Sequence, residues 1–142
     1  MRDRASHCGT VAFEHTGIVA QPPTEVLYNG VCPVCRAGAC DLERRAIAAR
    51  AGITFTDVAA HPEALARAGV TLDDVRLKLH AITPEGRVLR GMPAVSVAWS
   101  ATPPFRPLGR LTRIAPFSWV AAALYHMTAH VLWWWNRACG RW

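Results

Sequence analysis

One nine-residue block restricts the folds open to this chain more than any other: Leu27-Tyr28-Asn29-Gly30-Val31-Cys32-Pro33-Val34-Cys35. Glu25–Asn29 is a short β-favouring run stopped by Gly30, which reads as a buried strand entering a turn. Pro33 then suits the first turn of a helix, where its missing N–H would have no intrahelical partner. Gly52 ends that helix after about Ala51. Cys35, Ala39, Leu42, Ala46 and Ala49 step by four and three, so they share one narrow face of small residues. Ile53–Val58 follows as a second strand. Strand, helix and strand with short joints form a βαβ unit, so the two strands are expected to be parallel with a right-handed crossover.

The rest of the chain reads as shorter pieces. His61–Ala68 is a short helix closed by Gly69, and Thr71 caps a further turn at Leu72–Val75. Leu77–Ile82 alternates as a half-buried strand, and a Thr83–Gly86 turn returns Arg87–Leu89 as its hairpin partner. A helix over Pro93–Ser100, a loop broken by Pro103, Pro104 and Pro107, and a short helix to Ile114 come next. A long helix from Phe117 to Asn136 completes the pattern. Within it Phe117, Val120, Leu124, Val131 and Trp135 form an apolar stripe, expected to pack on the domain.

The chemistry follows from where the two cysteines fall. A thiol at a helix N-terminus faces unpaired N–H groups and the positive end of the dipole, which favour the thiolate. Cys32 at that cap is the expected exposed nucleophile. Cys35, one turn in on the packed stripe, is the sheltered thiol that resolves a mixed disulfide. This is thiol–disulfide exchange, and it needs no cofactor beyond an external reductant or oxidant. The parallel strands bring Asp57 to the sheet edge that carries the Asn29–Cys32 loop. There it either exchanges protons with Cys35 or serves as a turn carboxylate.

Composition bounds the setting. Five Cys in 142 residues are an odd number and too few for a disulfide scaffold. The first 21 residues lack the apolar core of a signal peptide, so the expected compartment is the reducing cytoplasm. Cys40 reads as a packing residue, and Cys8 and Cys139 as incidental thiols. The net charge of +6 is uneven: residues 1–85 hold nine cations and ten acids, residues 86–142 seven Arg and no acid. Scattered Arg with no nucleic-acid motif argues against a nucleic-acid partner. A zinc site made by Cys32, Cys35, His126 and His130 is one alternative, although ligand pairs some 90 residues apart are unlike compact zinc modules. The other is a membrane role for Ile114–Asn136, which lacks any Asp, Glu, Lys or Arg and ends in Trp133-Trp134-Trp135. Pro116, Ser118, His126, Thr128 and His130 weigh against a true span, and the Trp and Arg residues fit contact at a bilayer surface. In that alternative class the cysteine pair is structural and the protein binds zinc or a membrane surface without catalysis.

The block Tyr28-Asn29-Gly30-Val31-Cys32-Pro33-Val34-Cys35 resembles the Y-D-G-x-C-x-x-C signature of the DCC family of thiol-disulfide oxidoreductases. The likeness continues through Thr56-Asp57-Val58, the Leu79-His80 strand, Pro84, Gly86, Arg87, Gly91 and Ala94, and a C-terminal helix with Tyr125 and Ala129. It implies a thioredoxin-like α/β domain: a βαβ unit, a β-hairpin and additional C-terminal helices over residues 24–137. A loose leader over 1–23 and a tail over 138–142 flank it. It implies a protein or small-molecule thiol or disulfide as substrate. Within the matched block and strand, Asp57, Asn29 and Tyr28 are the candidates for proton relay or loop support. Two departures stand out. Asn29 replaces the family's usual Asp, and an amide keeps turn hydrogen bonds but accepts no proton. No Pro precedes the Leu77–Ile82 strand, where thioredoxins place a cis-Pro opposite the thiols, so substrate docking must use other groups.

Overall fold

The computed structural model describes residues 22–142, so the leader expected over 1–23 lies outside the described residues except for Pro22 and Pro23. Strand β1 (Thr24–Tyr28), helix α1 (Pro33–Ala48) and strand β2 (Ile53–Asp57) form the βαβ unit. The two strands pair in parallel from Thr24 opposite Ile53 to Tyr28 opposite Asp57. That register brings the thiol loop and Asp57 off the same edge of the sheet. Helices α2 (Glu63–Ala68) and α3 (Leu72–Leu77) lead to β3 (His80–Ile82), antiparallel to β1, and β4 (Val88–Arg90), antiparallel to β3. The sheet order is β2-β1-β3-β4, and α4 (Met92–Ala101), α5 (Arg106–Leu111) and α6 (Phe117–Ala138) follow. This mixed α/β architecture, with its additional C-terminal helices, is consistent with a thioredoxin-like fold.

Alternation along β1 builds a core on each face of the sheet. Val26 and Tyr28 pack with Ala39 and Ala46 of α1 and Ala94 and Ala98 of α4. Leu27 faces the other way, onto Val58, Ala64, Ala68 and Val75. Alanine at the helix contacts lets α1 and α4 lie close against the strands.

Two elements differ from their sequence reading. The expected Leu77–Ile82 strand is cut to three residues because α3 continues through Leu77. Thr71 and Asp74 close a reciprocal capping box that starts this helix firmly, and Val75 buries against Leu27, which rewards completing it. Helix α6 is turned the other way round. The stripe of Phe117, Val120, Leu124, Val131 and Trp135 points to solvent, each residue at least half exposed. The inward face is Tyr125, Ala129, Leu132 and Asn136, joined at the start by Ala121 and Ala122. Small residues permit a close approach to α3 and α4, which the large side chains would prevent. Among the described residues no helix is long and apolar enough to cross a membrane.

Candidate active site

The loop between β1 and α1 is held by its own amide and by Asp57. Asn29 Oδ1 accepts a hydrogen bond from the Val31 N–H at 3.2 Å, and the Asn29 carbonyl accepts one from the Cys32 N–H at 3.2 Å. From the end of β2, Asp57 Oδ1 accepts the Gly30 N–H at 2.8 Å and the Ala59 N–H at 2.9 Å. The contact leaves no space for a side chain: a Cβ on Gly30 would fall 1.9 Å from Asp57 Oδ2. Asp57 therefore meets the loop as the parallel register anticipates, and its carboxylate bonds to backbone amides and to neither thiol. Tyr28 is buried in the core below the loop, and Asn29 is buried within it.

The two sulfurs sit in opposite settings to those expected. Cys32 is the N-cap of α1, and its Sγ accepts the Cys35 N–H at 3.4 Å. It is also only 1% exposed, which corrects the expectation of an open nucleophile. The cover comes from the last turn of α6, where Asn136 Nδ2 donates to Cys32 Sγ at 3.3 Å from 104 residues away. The amide has one sensible orientation. Arg141 can only donate, and it donates to Asn136 Oδ1 at 3.1 Å, so Nδ2 is left for the sulfur and for the Leu132 carbonyl at 2.7 Å. Cys35, expected to be the sheltered thiol, is only half-buried. It lines a cavity of about 210 Å³ whose wall includes Val34, Leu42, Val95, Tyr125 and Ala129. Burial pushes the Cys35 thiol up to about 12, and the hydrogen bond and charge of Cys32 push in the same direction. Cys35 is thus a protonated thiol while Cys32 is free.

Helix α6 makes a second contact with this region. The Leu79 N–H, just before β3, donates to Tyr125 Oη at 2.7 Å. Burial pushes the Tyr125 hydroxyl up, so it stays neutral. The backbone edge that lacks a preceding Pro is therefore engaged by the protein's own helix. The sequence reading gives Asn136 only as a helix end and Tyr125 only as part of the family likeness, with a contact for neither. The signal was present in the spacing of Tyr125, Ala129, Leu132 and Asn136, which places a tyrosine and an asparagine on one face opposite the apolar stripe.

The zinc alternative does not assemble. Among the described residues no three His, Cys, Asp or Glu side chains come together as a metal site. His126 and His130 lie exposed along α6, with His130 Nδ1 bonded to the His126 carbonyl at 2.8 Å. Cys32, Cys35, Cys40 and Cys139 are all free thiols.

No curated protein and no solved structure matches the chain. The family model of the DCC1-like thiol-disulfide oxidoreductases matches residues 26–138, from within β1 to the last residue of α6. That span takes in both cysteines, Asp57, Tyr125 and Asn136, and the chain belongs to the DCC1-like thiol-disulfide oxidoreductase family.

Proposed function

We propose that the protein carries out thiol–disulfide exchange, with Cys32 attacking and Cys35 resolving, on a protein or small-molecule disulfide. The observation that carries this reading is the asymmetry of the pair. Cys32 Sγ receives two N–H donors at a helix N-terminus, and such bonds are strongest to a charged acceptor. Cys35 is held as a thiol. The Cys32 thiolate attacks one sulfur of the substrate disulfide, forming a mixed disulfide and releasing the other sulfur as a thiolate. Cys32 then no longer carries charge or accepts a thiol proton, so two of the three influences that hold the Cys35 proton disappear. Cys35 gives its proton to solvent or to the departing thiolate and attacks Cys32 Sγ. The Cys32–Cys35 disulfide forms, the second substrate thiol leaves, and two electrons have passed to the substrate. Asp57 supports the loop rather than relaying the proton, because its carboxylate is committed to Gly30 and Ala59. For Cys32 to meet a substrate, the last turn of α6 must draw Asn136 aside. A reducing cytoplasm suits a pair that starts as free thiols.

A second reading has its own observation: Cys35 is the sulfur that lines the cavity, so the first attack could begin there. One experiment separates the two. Cys35→Ser and Cys32→Ser variants are incubated with glutathione disulfide, and adducts are located by peptide mass analysis. The proposed order predicts a glutathionyl adduct accumulating on Cys32 in Cys35→Ser and little adduct in Cys32→Ser. Adduct on Cys35 alone reverses the roles, and no adduct in either variant overturns the exchange reading.

A further inference from the structure

The outward face of α6 is the largest feature that the thiol chemistry leaves unused. At 100° per residue, the stripe of Phe117, Val120, Leu124, Val131 and Trp135 falls within an arc of about 100°, and Met127 and Trp134 fall in the same arc. All seven are more than half exposed. The stripe runs straight for roughly 27 Å, taking 1.5 Å per residue from Phe117 to Trp135. Leu108, Leu111 and Ile114 add further exposed apolar surface in and after α5. An isolated exposed Leu needs no explanation, but a continuous apolar stripe of this length does.

Charge indicates what covers it. Beyond Glu85 the chain holds seven Arg and no acid, and none of those Arg has an ion-pair partner among the described residues. Arg110 and Arg113 are interleaved with the exposed Leu111 and Ile114 ahead of α6, and Arg137 follows the stripe at the other end, stacked over Trp133. Apolar residues flanked by exposed Trp and unpaired Arg suit a surface that is apolar inside and anionic outside. We infer that α6 lies in the plane of an anionic lipid bilayer, its stripe among the acyl chains and its flanking Arg at the headgroups. A helix of this kind lies on the membrane and does not span it, in keeping with its hydropathy. The inward face, with Asn136 and Tyr125, stays on the protein, so the thiol site rides on the membrane side of the domain.

The test uses the full chain with vesicles of phosphatidylcholine alone and of phosphatidylcholine mixed with phosphatidylglycerol, read by co-sedimentation. Binding is expected to the mixed vesicles, weakened by salt, and to be at least about tenfold weaker on phosphatidylcholine alone. Two exposed positions, Leu124→Glu with Val131→Glu, should abolish binding while circular dichroism and thermal melting stay as in the wild type. Arg110→Ser with Arg113→Ser should reduce it and flatten the salt dependence. Binding that survives the Glu substitutions would show attraction by charge alone and overturn the seated helix. Absence of binding to mixed vesicles overturns it as well. So does a concentration-dependent dimer that the Glu substitutions dissolve, since the stripe would then belong to a second copy of the chain.

Discussion

The Asn29–Cys35 loop and helix α6 are joined by the hydrogen bond of Asn136 to Cys32, yet they are built by different rules. The loop is set by neighbours in sequence and by one strand register. Asn29 turns it, Cys32 caps the following helix, and Asp57 arrives beside it because β2 is parallel to β1. Helix α6 obeys no such local rule. Its apolar periodicity marks a helix correctly but gives the wrong face, because the side turned inward is chosen by close packing of small residues. Local chemistry thus sets the two sulfurs apart, and a distant helix covers one of them.

The comparison can be broken first at the loop. Gly30→Ala places a methyl group on the Asp57 carboxylate, and about 3 kcal/mol of stability should be lost in urea melts. A neutral result would mean that the loop is looser than its hydrogen bonds indicate. Asp57→Ala comes next. It removes a charged acceptor from two backbone N–H groups and should cost about 2 kcal/mol. Under the proposed role of loop support, Asp57→Asn should recover much of the stability and keep the rate of exchange. A large fall in rate with intact stability would restore the proton-relay role.

The sheet that carries the loop offers a pH test. His80 in β3 is buried, with Nδ1 bonded to the Lys78 carbonyl at 2.9 Å, and burial lowers its pKa from the ordinary 6.5. The unfolded chain therefore takes up a proton on this ring at higher pH than the folded chain does. His80 supports the fold fully above about pH 6.5, and that support is lost as pH falls toward the folded pKa. The slope from this group is at most about 1.4 kcal/mol per pH unit. Stability followed by urea melts from pH 7.5 down to 5 should fall more steeply for wild type than for His80→Gln. Parallel profiles would remove His80 as the cause.

The smallest stability effect, and the sharpest test of the cover, belongs to α6. Asn136→Ala should cost about 1 kcal/mol or less, yet iodoacetamide should modify Cys32 several-fold faster at unchanged global stability. An unchanged rate would mean that the rest of the helix, and not this amide, closes the site.

How much of this was legible follows the same division. The βαβ unit, the parallel direction of its strands, the position of Asp57 and the cap position of Cys32 were all readable, because each depends on residues close in sequence or on one handedness rule. The burial of Cys32 was not, since it depends on Asn136, and an asparagine near a helix end carries no local sign of its partner. The shortening of β3 had a visible cue in Thr71 and Asp74, but the alternating Leu77–Ile82 pattern outweighed it. The uneven +6 charge was readable by counting alone, and its seven Arg after Glu85 are spread over β4, the later helices and their flanks.

The central claim is a reversible Cys32–Cys35 disulfide, and the most direct measurement is a redox titration of the wild-type protein in glutathione buffers. Thiols are trapped by alkylation and counted by mass, with bound metal measured on the same samples. The account predicts that Cys32 and Cys35 lose reactivity together, in one two-electron step between about −300 and −120 mV, while Cys40 and Cys139 remain free. Stoichiometric zinc, or a pair that forms no disulfide until the protein unfolds, would contradict it.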